Sequence, residues 1–133
     1  MSLTVAFSTM DGENIFADDH AGMATYFDLY NISPDGASFV ERHENSKFAG
    51  DESMRHGDPK KAKKSLSALE GADVWASRRF GPNLPRLLKK MSCVVVRTDT
   101  IENGIQLIQD NYDEVLQEHN KGADRSHMVL KPE

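Results

Sequence analysis

The sequence predicts an α/β fold in which a mixed sheet of about five strands is flanked by helices within a single domain. Three observations carry this expectation. Short β-branched or aromatic runs recur from the N-terminus to residue 96, two of them are separated by hairpin turn chemistry, and the second half alternates apolar runs with helical stripes. A chain of 133 residues is long enough for one continuous core and short for two.

The first strand is Leu3-Thr4-Val5-Ala6-Phe7-Ser8, closed by Asp11-Gly12, a dipeptide that tolerates the positive φ of a tight turn. Tyr26, Phe27, Leu29, Tyr30 and Ile32 mark a second strand. Pro34-Asp35-Gly36 turns the chain, and residues 37 to 43 form the return strand of a hairpin. Residues 44 to 58 carry little apolar content and read as a long loop. Asp58-Pro59 then offers an N-cap and a proline in the first turn of a helix, with Ala62, Leu66 and Leu69 at helical spacing up to Gly71.

Ala72-Asp73-Val74-Trp75-Ala76 and Cys93-Val94-Val95-Val96 read as two further strands, the latter covered on both faces. Between them Leu84, Leu87, Leu88 and Met91 fit a short helix that accepts Pro85 in its first turn. Asp99-Thr100-Ile101-Glu102 supplies a cap and an acidic first turn. The stripe Ile101, Ile105, Ile108, Tyr112 and Val115 then runs on as one helix. The domain is expected over residues 1–118, with 119–133 as a flexible tail because no periodicity continues beyond Asn120.

Composition narrows the function. No apolar run approaches the roughly 20 residues that cross a bilayer. The N-terminus lacks a basic segment followed by a long apolar one, so neither a membrane nor a secretion route is expected and the cytoplasm is the expected location. A net charge of −5 argues against a broad phosphate-binding surface, hence no nucleic-acid partner. The lone cysteine, Cys93, rules out an intramolecular disulfide and a four-thiolate centre built from one chain. Any metal site must use histidine, carboxylate or a partner protein.

The stretch from Asp19 to Tyr30, Asp-His-Ala-Gly-Met-Ala-Thr-Tyr-Phe-Asp-Leu-Tyr, resembles the signature of the dinitrogenase iron-molybdenum cofactor biosynthesis family, in which a first strand and a DG turn lead to His-Phe-Gly-x-Ala-x-x-Phe. His20, Gly22, Ala24 and Phe27 fit, and Ala21 replaces the usual Phe. The Gly71-Ala72-Asp73-Val74 entry, the Phe80-Gly81-Pro82 loop, Leu87-Leu88-Lys89 and Thr100-Ile101-Glu102 are similar in order and spacing. Two features depart from the pattern. Ser77-Arg78-Arg79 stands where members commonly have the first glycines of a Gly-Gly-x-Gly-Pro loop, and residues 45 to 58 replace a glycine-rich stretch.

The resemblance implies a ribonuclease-H-like sheet and non-catalytic binding or carriage of iron-molybdenum cofactor or an iron-sulfur precursor, exchanged with a metal-cluster donor or acceptor protein. On it, His20 is the metal ligand or cluster contact, Gly22 and Gly81 are backbone donors, and Arg78 and Arg79 are counter-charges. From spacing alone, His20 reads more readily as a loop-anchoring residue, the glycines as turn residues and the arginines as solvated charges. His43 and His56 lack a short ligand spacing to His20, Arg55 is a weaker clamp, and Cys93 reads as a buried thiol. Lys60, Lys61, Lys63 and Lys64 read as a solvated helix face. Two alternatives stand beside carriage: an interaction module that keeps the fold without a metal site, and a Mg²⁺-dependent nuclease using Asp11, Asp18 and Asp28.

Overall fold

A computed structural model of the chain describes residues 2–45, 69 and 71–132. The strands β1 (Leu3–Thr9), β2 (Tyr26–Ser33), β3 (Gly36–Glu44), β4 (Val74–Ser77), β5 (Ser92–Val96) and β6 (Met128–Leu130) form one mixed sheet in the order β3-β2-β1-β4-β5-β6. Strands β1, β4, β5 and β6 run parallel, whereas β2 and β3 are antiparallel to their neighbours. The helices are α1 (Leu84–Leu88), α2 (Ile101–Asp110) and α3 (Tyr112–His119).

Period-two alternation in the central strands divides the core between the two faces of the sheet. Leu3, Val5 and Phe7 of β1 join Val74 and Ala76 of β4, Val94 and Val96 of β5, and the apolar stripe of α2 and α3. The opposite face holds Ala6, Phe27, Leu29, Trp75 and Cys93 under Leu87, Leu88 and Met91 and under Ala21 and Ala24 of the β1–β2 connection. Trp75 is fully buried and meets Phe27 and Phe80 edge-on, with ring centroids 5.6 and 5.3 Å away. Burial on both faces is why β1, β4 and β5 read as nearly continuous apolar runs.

The hairpin follows its turn residues. Ser33-Pro34-Asp35-Gly36 connects β2 to β3, and Asp35 N–H donates to Ser33 Oγ at 3.3 Å. Asp11-Gly12 also behaves as its chemistry requires, with Gly12 at φ 83°. Strand β3 is an exposed edge, marked by charged Glu41, Arg42 and Glu44 and by a register shift opposite Leu29 and Tyr30. Tyr26 and Tyr30 are half-buried, and the Arg42 guanidinium lies 4.3 Å over the Tyr26 ring.

Two expectations need correction. The single helix from Ile101 onward is broken at Asn111, where φ is −118° and ψ 24°. The Asn111 side-chain amide donates to Leu107 O at 2.8 Å, beside the bond that its own backbone N–H makes to the same carbonyl at 3.2 Å. The supposed tail is ordered as a 3-10 turn, Gly122–Asp124, followed by β6, which adds a sixth strand beside β5. Arg125 holds it there by donating to His119 O at 2.9 Å and Leu88 O at 3.1 Å. The loop from 46 to 58 and nearly all of the helix expected up to Glu70 lie outside the described residues. No helix among the described residues is long and apolar enough to cross a membrane.

Candidate functional site

The carboxyl ends of β1 and β4 are adjacent, and their chains depart in opposite directions, from β1 toward β2 and from β4 through α1 toward β5. In an open α/β sheet that divergence leaves a crevice in which ligands are commonly bound. His20 and Gly81 come from the two diverging connections and meet there. A Cβ placed on Gly81 would lie 2.6 Å from His20 Nδ1 and 3.1 Å from its Cγ, so the imidazole rests against the glycine backbone. The contact explains why residue 81 needs no side chain, independent of any unusual φ.

Several hydrogen bonds fix the loop that carries His20. Ala21 N–H donates to Arg79 O at 2.8 Å, tying the two connections together. Ser8 Oγ, wholly buried, accepts from Trp75 Nε1 at 2.8 Å and donates to Ala21 O at 3.2 Å. From the hairpin side, Asn45 Nδ2 donates to Gly22 O and Ala24 O, each at 2.8 Å. The His20 backbone N–H donates to Asp19 Oδ1 at 2.7 Å, and the same oxygen lies 4.0 Å from His20 Nε2. With its side chain a quarter exposed, the imidazole is oriented by its surroundings yet faces solvent.

The other expected residues divide. Gly22 sits in the 3-10 turn Ala21–Met23 next to His20, and Arg79 is exposed beside Ala21. Arg78 points elsewhere: its guanidinium donates to the Asp99 carboxylate, across the carboxyl edge where the β5–α2 connection begins. His43 pairs with Glu41 at 2.9 Å on β3. Arg55, His56 and Lys60, Lys61, Lys63 and Lys64 lie outside the described residues. Cys93 is buried within β5, and burial pushes its thiol up to about 12. It stays protonated at neutral pH.

Two of the three carboxylates proposed for Mg²⁺, Asp28 and Asp11, are occupied separately, and Asp18 is exposed. Asp28 is buried in a two-point pair with Arg42, Nε to Oδ1 at 2.7 Å and Nη2 to Oδ2 at 3.1 Å. Asp11 accepts from the backbone N–H groups of Asn14 and Glu13 at 2.8 and 2.9 Å and from Asn14 Nδ2 at 2.9 Å. Those bonds hold its carboxyl down at about 2. Among the described residues, no three His, Cys, Asp or Glu side chains converge to hold a metal ion.

Ser8, Asn45 and Asp99 are the residues that sequence reasoning passes over. Ser8 carries one weak signal, a hydroxyl at the end of an otherwise apolar strand. Asn45 and Asp99 carry none, because each acts on a residue at least 21 positions away.

Residues 1–122 match the family described as dinitrogenase iron-molybdenum cofactor. The chain belongs to this family. Its fold is similar to a crystal structure from Methanocaldococcus jannaschii described as a "putative dinitrogenase". The two share 15% identity over 84% of this chain and 91% of the other, with a TM-score of 0.59. At that identity the likeness establishes the fold alone. No curated protein matches the chain. Membership therefore rests on the family match over residues 1–122.

Proposed function

We propose that this domain binds or carries an iron-molybdenum or related iron-sulfur cofactor without turning it over, on a ribonuclease-H-like sheet, and passes it between cluster-handling proteins. The observation that carries the reading is the seating of His20 on Gly81 at the divergence of β1 and β4. Family membership supplies the class of cargo.

The donor set suits a preassembled cluster. A neutral imidazole contributes one protein ligand, and the cluster brings its own sulfides. Assembly of a cluster from free iron usually draws on several thiolates, and the one thiol of this chain is buried and protonated. In this reading His20 contacts the metal, the backbone at Gly22 and Gly81 approaches the cargo closely, and Arg79 supplies positive charge. Cation and backbone contacts favour an anionic cargo while leaving it exchangeable.

The test is anaerobic incubation of the purified chain with iron-molybdenum cofactor, and separately with an iron-sulfur precursor, followed by metal analysis after gel filtration. Stoichiometric retention that disappears in His20→Ala is expected, with a smaller loss in Arg79→Ala. A folded wild-type sample that retains no more metal than an unrelated protein would sink the carrier reading and leave an interaction module as the better account.

A further inference from the structure

Arg78 has the chemistry of an anion-binding group, but its partner is a residue of its own chain. Its side chain is 31% exposed, so about two-thirds of it is already withdrawn from water at the carboxyl edge. A guanidinium carries five N–H donors. Among the described residues its side chain meets one carboxylate, that of Asp99, through Nη1. Asp99 differs in kind. Its side chain is 86% exposed and held at that one point, while its backbone is fixed, its carbonyl accepting from Ile15 N–H at 2.8 Å. A sheltered, under-used cation thus faces a loosely held, solvated carboxylate.

We propose that Asp99 is an internal competitor for the anion-binding capacity of Arg78. An incoming ligand that presents carboxylate or phosphate oxygens displaces the Asp99 side chain and takes its place on the guanidinium. This rests on the proposed cofactor site at the carboxyl edge, extended from the β1–β4 crevice toward the β5–α2 connection where Arg78 meets Asp99, and adds to it a built-in selectivity. Only ligands that offer better oxyanion geometry than a single exposed aspartate, such as a two-point carboxylate or a phosphate, gain the full use of Arg78. Departure of Asp99 is inexpensive because its carboxylate returns to water, and an exposed ion pair is weak. The backbone need not move, since the Asp99 carbonyl stays bonded to Ile15 and Thr100 N-caps α2 through its own hydroxyl.

The probes are citrate and inorganic phosphate, titrated separately into the full chain at low salt, with heat of binding and amide NMR shifts at residues 78 and 99 as readouts. Asp99→Asn is expected to tighten binding of the preferred probe about two- to fivefold, the range in which removal of a competing surface ion pair falls. Arg78→Gln should weaken it, and the double variant should bind like Arg78→Gln. Asp124→Asn, which makes the same charge change in the exposed turn 122–124, should leave affinity at the wild-type value. Equal tightening in Asp99→Asn and Asp124→Asn would reduce the effect to net charge and overturn the proposal. So would an Asp99→Asn affinity equal to wild type, or binding that survives Arg78→Gln unchanged. The titrations use no metal: an Asp99 effect without cluster retention sinks the carrier reading alone, and cluster retention without an Asp99 effect sinks the competitor alone.

Discussion

At the scale of single residues, the site turns on a missing side chain. Gly81 leaves the His20 imidazole a place against backbone, and an added methyl would stand 2.6 Å from Nδ1. The ring is the far end of a rotatable side chain that is a quarter exposed, whereas Gly81 is backbone, so the added methyl displaces the ring rather than opening the loop. Gly81→Ala is therefore expected to cost no more than about 1–3 kcal/mol in stability. On the proposed carrier reading it should also abolish metal retention nearly as completely as His20→Ala, because the imidazole no longer points where the loops hold it. Metal analysis after gel filtration, paired with urea denaturation, checks both halves. Full retention by Gly81→Ala would show that the seating of the ring is immaterial. The histidine, both glycines and the DG turn were legible in the sequence because they fall within short local patterns. Their mutual placement was not: the contact between residues 20 and 81 is a product of strand order.

At the scale of elements, local chemistry and long-range pairing part company. The β2–β3 hairpin could be read from Pro34-Asp35-Gly36, and the start of α2 from Thr100, whose hydroxyl accepts from Asn103 N–H at 3.1 Å. The break at Asn111 was hidden because the apolar stripe continues through it, and β6 because three residues become a strand only when β5 is there to pair with them. Helix α2 also shows how closely an element can approach the sheet. A Cβ at Gly104 would lie 2.9 Å from Phe7 Cε1 and 3.1 Å from Ile15 Cδ1. Phe7 cannot retreat easily, being fully buried and in edge contact with Tyr30 at 5.8 Å. Gly104→Ala gains about 1 kcal/mol of helix propensity and loses about 1–3 kcal/mol to overpacking. Net destabilisation of about 1 kcal/mol is expected, read as a lower urea midpoint. A raised midpoint would mean that the helix shifts outward at little cost.

At the scale of the whole molecule, the carboxyl edge carries the candidate site and the amino edge holds the layers together. There His119, in the last turn of α3, places Nδ1 3.0 Å from Ser92 Oγ at the start of β5 and Nε2 3.9 Å from Asp73 Oδ1 just before β4. Asp73 Oδ2 in turn accepts from Thr4 N–H at 2.9 Å, so the starts of three parallel strands are joined to one helix end. Burial lowers the His119 pKa below its ordinary value, Arg125 lowers it further, and Asp73 only partly opposes them. The folded chain therefore holds this proton less readily than the unfolded chain, whose histidine titrates near about 6.5. It follows that the contribution of neutral His119 is fully present above about pH 6.5 and is lost as pH falls from there through the folded-state value. Urea midpoints measured from pH 8 to pH 5 should fall on acidification, and fall less in His119→Gln, which keeps a polar group near Ser92 but cannot be protonated. Parallel pH profiles for the two proteins would show that His119 titrates alike in the folded and unfolded chain and does not set the acid sensitivity.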